Sequence, residues 1–135
     1  MKASLLDTDI FSHYMKGNQK VVNNVINYLT DHATLNLSSI SYFEVLKGLE
    51  YKKAIKQKQA FEHFLTQVNL INVSKKSMQI SAKIYGDLRR NGITIGVSDL
   101  LIAGVAIENN FQLITNNTKH FKSIEDLTLS NWLNN

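Results

Sequence analysis

No cysteine occurs among the 135 residues, so disulfides and thiolate metal sites are excluded and a reducing compartment is permitted. Proline is missing as well, a lack for which the sequence offers no physical reason. No apolar run approaches the roughly 20 residues that span a bilayer. Asp7 and Asp9 interrupt the opening stretch where a signal peptide would keep its apolar core. No linker, low-complexity run or internal repeat divides the chain. The four histidines, His13, His32, His63 and His120, are scattered, and no His/Cys grouping suits zinc. Together these absences lead us to expect a soluble, cytoplasmic protein with no membrane partner.

What remains is ordinary for a globular chain. Hydrophobic residues make up 44% of it, enough for a core, and its length suits one compact domain over 1–135. Fifteen Lys+Arg against 11 Asp+Glu leave a formal charge of +4, which is compatible with a polyanionic partner.

Hydrophobic spacing places the elements. Residues 3–7 read as a short buried strand, followed by a short helix capped by Thr8 or Asp9 and ended by Gly17. Val21, Val22, Val25, Ile26 and Leu29 recur at helical spacing across 18–31. Residues 34–38 alternate as a strand does. Ser41 opens a helix that continues, with a break, to about residue 67. A strand at 69–73 precedes a helix capped by Ser74 and stopped at Asn91-Gly92. Ser98 caps a helix over 99–109. A strand at 111–115, a turn or helix at 118–124 and an edge strand near 127–130 complete the chain. Alternating strands and helices imply an α/β fold with a parallel sheet and helices on both faces.

In such sheets ligands bind beyond the carboxyl ends of the strands. Asp7 and Thr115 fall at those ends, and Glu44 and Asp99 fall in the first turns of helices. Each acid has a structural explanation. Ser41-Tyr42-Phe43-Glu44 fits a capping box, Ser98-Asp99 puts an acid at a helix N-terminus, and Asp7-Thr8-Asp9 reads as an acidic helix start. Gathered at one edge, however, three acids beside apolar runs need a cation. A hard divalent ion is the natural one, and it would serve phosphodiester hydrolysis.

The motifs that carry these acids resemble those of the PIN-domain ribonucleases, specifically the VapC-type toxins of bacterial toxin–antitoxin pairs. Leu5-Leu6-Asp7-Thr8-Asp9 is similar to their first motif, and Ile40-Ser41-Tyr42-Phe43-Glu44-Val45-Leu46-Lys47-Gly48 to their second. Leu88 to Gly92 with Ile95 to Ala103, around Asp99, resembles the third. Leu113 to Phe121, through Thr115, Asn117 and His120, resembles the fourth. The resemblance runs from residue 3 to about residue 132. It implies a three-layer α/β/α sandwich around a mainly parallel sheet of about five strands.

By the same resemblance the chain is a Mg²⁺- or Mn²⁺-dependent endoribonuclease. Asp7, Asp99 and Glu44 are the metal ligands, and Asn117 orients water or the scissile phosphate. Thr8, Ser41 and Thr115 are candidates to orient the ligating carboxylates. Many relatives carry an acid at the position of Asn117 or of His120, and this chain has neither. His120 then contacts a phosphate or stands in for the lost acid. Arg89, Arg90, Lys119 and His120 are the expected RNA contacts, whereas the lysines at 52, 53, 56 and 58 read as a solvated helix face. Tyr42, Phe43 and Phe121 are expected mostly in the core. The family further implies a cognate antitoxin laid across the acids and a homodimer. The helix at 18–31 and the segment 42–65 offer apolar surface for either contact.

Two rival readings remain at this stage. One is a non-catalytic PIN relative that binds RNA. The other is a haloacid-dehalogenase-type phosphatase, because Asp7-Thr8-Asp9 has that family's D-x-D form. Phe11 occupies the position where that motif normally carries Thr, and no catalytic Lys or late acid pair accompanies it.

Overall fold

The protein is described here by a computed structural model that covers residues 1–134. Strands β1 (Ser4–Leu6), β2 (Leu35–Ser38), β3 (Val68–Ile71), β4 (Gln112–Ile114) and β5 (Leu129–Ser130) form one sheet. Their order is β3-β2-β1-β4-β5, and every pairing is parallel. All five carboxyl ends therefore lie along one edge.

Neighbouring residues of a strand face opposite sides, and this divides the core in two. Leu6 and Ile114 join Leu37 under α1 (Thr8–Met15), α2 (Gln19–Tyr28) and α4 (Ile55–Leu65), against Phe11, Val21, Val25, Tyr28 and Phe61. Leu5 and Leu113 turn the other way. They pack on α6 (Val97–Glu108) through Ile102, Ala103 and Val105, and on Phe121 of α7 (Thr118–Phe121). The expected three-layer α/β/α sandwich with a five-stranded sheet is present. Among the described residues no helix is long and apolar enough to cross a membrane.

Helix α5 (Lys75–Arg90) lies along α6 at close range. A Cβ on Gly104 would stand 2.0 Å from Ser81 Oγ and 2.5 Å from the Ser77 carbonyl oxygen. Only hydrogen fits there. The Ser81 hydroxyl, buried in that contact, donates to the Leu100 carbonyl at 2.7 Å.

Several boundaries differ from the spacing-based expectation, each for a local reason. β1 ends at Leu6, because Asp7 is the extended N-cap of α1 and accepts the Thr8 amide proton. α2 stops at Tyr28 instead of running to 31, and Asn18 caps it. α3 (Ser39–Lys52) begins before Ser41, because Ser38 caps it by accepting from the Ser41 amide. Glu44 is thus past the first turn, and the capping-box reading fails. α4 is separated from α3 where Lys53 takes the left-handed conformation, φ 52°. α6 starts at Val97 after Gly96, so Ser98 lies inside the helix and caps nothing. Phe121 is fully buried, but Phe43 is 60% exposed, with Lys47 over its ring. Phe43 is therefore not a core residue, since on α3 it points away from the sheet.

Candidate active site

Asp7 sits between the end of β1 and the start of α1. Its backbone amide donates to the Ile114 carbonyl at 2.8 Å, which continues the β1–β4 ladder by one bond. Its side chain is 7% exposed and held at both oxygens. Oδ1 accepts from the Thr8 amide at 2.8 Å, and Oδ2 accepts from the Thr115 hydroxyl at 2.7 Å. The carboxylate cannot turn toward solvent without breaking one of these bonds.

Thr8 carries the arrangement to the second acid. Its Oγ1 stands 2.7 Å from Glu44 Oε1 and 2.8 Å from Ser41 Oγ. A hydroxyl has one proton to give, so the carboxylate takes it and the Ser41 hydroxyl donates to Thr8 in turn. Ser41 is fully buried beside the Ser38 cap, which fixes the direction of α3 and with it Glu44.

Thr115 carries the arrangement the other way. Its Oγ1 accepts from the Asn117 amide at 2.9 Å, which bends the chain from β4 into α7. Asn117 Nδ2 lies 2.7 Å from His120 Nδ1, and that nitrogen lies 3.5 Å from Asp99 Oδ2. Asp99 comes from the first turn of α6, where the helix dipole favours a carboxylate. Hydrogen bonds therefore run Glu44–Thr8–Asp7–Thr115–Asn117–His120, and the His120 nitrogen that meets Asn117 stands 3.5 Å from Asp99 Oδ2. The series draws on four elements far apart in sequence.

The electrostatics follow from burial. Desolvation pushes the Asp7 carboxyl up from 3.8 to about 6, and the charges of Asp9 and Asp99 add to the effect. The bonds from Thr115 and Thr8 oppose it. Burial raises Asp9 too, against its bonds to backbone amides that include that of Asn116. Asp9 was not among the site residues read from sequence. The D-x-D spacing was the available signal, but nothing in it says that the second acid faces the β4–α7 turn.

Arg89 and Arg90 are exposed at the end of α5. Arg89 donates to Thr94 Oγ1 and lies over the Tyr85 ring, and Arg90 pairs with Asp87. Lys119 is exposed on α7. A groove of about 360 Å³ opens beside Thr8 and Glu44, bordered by Lys16 and Lys52 and floored by Phe61 and Phe64.

Among the described residues no three Asp, Glu or His side chains already converge so as to hold an ion. The donor chemistry still fits one. The oxygens are hard and partly withdrawn from water, and burial, with a smaller contribution from the charges of Asp9 and Asp99, raises the Asp7 carboxyl to about 6. A divalent cation suits such a set with modest side-chain motion and retained waters.

Residues 4–127 match the family profile described as PIN domain. The chain is 34% identical over 129 residues to ribonuclease VapC2 of Rickettsia felis, covering 95% of this chain and 96% of that protein. It is 32% identical over 132 residues to ribonuclease VapC1 of Haemophilus influenzae, with the same shares covered. Among solved structures it resembles a chain of VapBC2 from Rickettsia felis bound to a DNA fragment from the promoter. The TM-score there is 0.88, at 33% identity, over 96% of this chain and 98% of that one.

Proposed function

The chain belongs to the PIN-domain family, and from that premise we propose that it is a divalent-metal-dependent endoribonuclease, the toxin of a toxin–antitoxin pair. Asp7, Asp99 and Glu44 hold Mg²⁺ or Mn²⁺. A bound ion supplies an activated water and offsets charge on the leaving oxygen. The observation that carries the reading is the hydrogen-bond series that joins Glu44 to Asp7 through Thr8 and runs on through Thr115 and Asn117 to His120, whose ring nitrogen stands 3.5 Å from Asp99.

The chain's own groups do the positioning. Thr115 and Thr8 keep the Asp7 carboxylate aimed along the sheet edge. Thr8, itself held by Ser41, orients Glu44. Asn117 is fixed through its backbone by Thr115 and through its Nδ2 by His120, which leaves its Oδ1 to orient water or the scissile phosphate. Lys119, one residue from His120, is exposed as a phosphate contact, Arg89 is exposed at the end of α5 as a second, and the net charge of +4 favours a polyanion. Arg90 must first leave Asp87 to take part.

The protein partners are a cognate antitoxin that covers the acids and a second copy of this chain. Exposed apolar side chains on α2 and its C-cap (Ile26, Leu29) and on α3 and α4 (Phe43, Tyr51, Ile55) provide surface for such contacts.

Incubation of the purified protein with RNA and Mn²⁺, with and without EDTA, tests the reading. Cleavage is expected, abolished by EDTA and absent from Asp7→Asn and Asp99→Asn. RNA binding without cleavage in any metal would replace the nuclease by a binding protein. Cleavage that survives in both variants would place the chemistry elsewhere.

A further inference from the structure

The β4–α7 corner differs in kind from the rest of the site. Asp7, Glu44 and Asp99 offer only oxygen, whereas His120 brings nitrogen. Its ring is placed by more than chance surface packing. The Asn117 amide is pinned to Thr115 Oγ1, and Thr115 is pinned to Asp7. The His120 amide then donates to the Asn117 carbonyl at 3.1 Å, which folds α7 back on itself. That turn brings the ring over the Asn117 side chain and sets Nδ1 3.5 Å from Asp99 Oδ2.

Two donors 3.5 Å apart fall within the span of one ion at roughly 2.0–2.1 Å from each. The 59% exposure of the imidazole leaves room for small adjustments and for retained water. Turning the Asn117 amide about its last bond presents Oδ1 to the same point, because oxygen and nitrogen exchange places. Nitrogen and oxygen donors from α6 and α7 thus face one spot beside the acids.

We infer that His120 supplies an imidazole nitrogen to the divalent ion that Asp99 holds, so that this chain's site favours Mn²⁺ and Co²⁺ over Mg²⁺. The inference rests on the metal-dependent nuclease reading of the same site. Its chemical basis is ligand preference. Mg²⁺ selects oxygen and near-ideal octahedral geometry, whereas imidazole nitrogen binds first-row transition ions in an order that rises from Mn²⁺ through Co²⁺. Replacing a carboxylate by imidazole also removes one negative charge from the ligand set, and this weakens Mg²⁺ binding most.

The test uses the full-length protein, stripped of metal, in wild-type, His120→Glu, His120→Gln and Asp7→Asn forms. Mg²⁺ and Mn²⁺ are titrated calorimetrically, and Co²⁺ is titrated by its visible absorption. Mn²⁺-loaded samples are examined by electron spin-echo modulation, which detects a directly bound ¹⁴N. Wild type is expected to show nitrogen modulation, and both His120 variants are expected to lose it. His120→Glu should lower the Co²⁺-over-Mg²⁺ affinity ratio by roughly tenfold or more, on the scale of a lost contact in a metal site. The inference is overturned if wild type binds Mn²⁺ without nitrogen coupling, or if coupling and ratio persist in His120→Glu. Failure of the underlying reading looks different: Asp7→Asn would then bind every ion as tightly as wild type.

Discussion

At the scale of single residues, Asp7 is a buried carboxyl whose charge destabilises the folded state. Its carboxyl titrates at about 6 in the folded chain against an ordinary 3.8. The folded state therefore holds more protons than the unfolded state between those values, and stability falls as pH rises through that window. The destabilisation is absent below about pH 4 and complete above about pH 6, and a shift of this size corresponds to about 3 kcal/mol. Metal-free Asp7→Asn is therefore expected to unfold at a higher temperature than wild type at pH 7.5 and at the same temperature near pH 3.5. Thermal scans at the two pH values check this. Added Mn²⁺ should raise the wild-type midpoint at pH 7.5 and leave that of Asp7→Asn nearly unchanged. Thr115→Val removes the hydroxyl that holds Asp7 Oδ2, and metal affinity or cleavage rate should fall roughly 10- to 100-fold. Isothermal titration and a cleavage assay measure the two. That Asp7 and Thr115 meet was legible because an acid and a hydroxyl stood at the ends of two apolar runs. The approach of Asp9 to Asn116 was not, because nothing in the D-x-D spacing points the second acid at that turn. The route from Glu44 to Thr8 was hidden by a local pattern, Ser41 to Glu44, that imitates a cap.

At the scale of elements, caps and close approaches decide where the acids point. Ser38→Ala removes the N-cap of α3 and should cost about 1 kcal/mol, read as a lower urea midpoint. Ser41→Ala leaves that cap in place but removes the Thr8 partner, so its loss should appear in cleavage more than in stability. Gly104→Ala drives a methyl group into Ser81 Oγ and the Ser77 carbonyl, prying α5 from α6. A destabilisation on the order of 1–3 kcal/mol is expected from denaturant unfolding. Helix and strand types followed from periodicity, but their ends did not. The ends depend on which of several adjacent hydroxyls, amides or glycines reaches a free backbone group. Ser38 and Gly96 won over Ser41 and Ser98 for reasons of chain direction that spacing cannot express.

At the scale of the whole molecule, the sheet order places β1 at the centre, with β2 and β3 to one side and β4 and β5 to the other. The chain reverses direction around β1, and Asp7 and Thr115 meet at that switch point. Alternating strands and helices made the layered architecture readable, while the order of strands required the structure. With a formal charge of +4, RNA binding is expected to weaken steeply as salt rises, which a filter-binding series at increasing KCl measures.

The centre of the sheet is completed late. Asp7 is the seventh residue, yet its amide waits for the Ile114 carbonyl and its carboxylate for the Thr115 hydroxyl. Synthesis begins at the other end, so a ribosome-held chain carries Asp7 through most of translation before Ile114 and Thr115 can reach it. On the proposed nuclease reading, a chain arranged in this way is expected to acquire its cutting power only when its closing strands leave the exit tunnel.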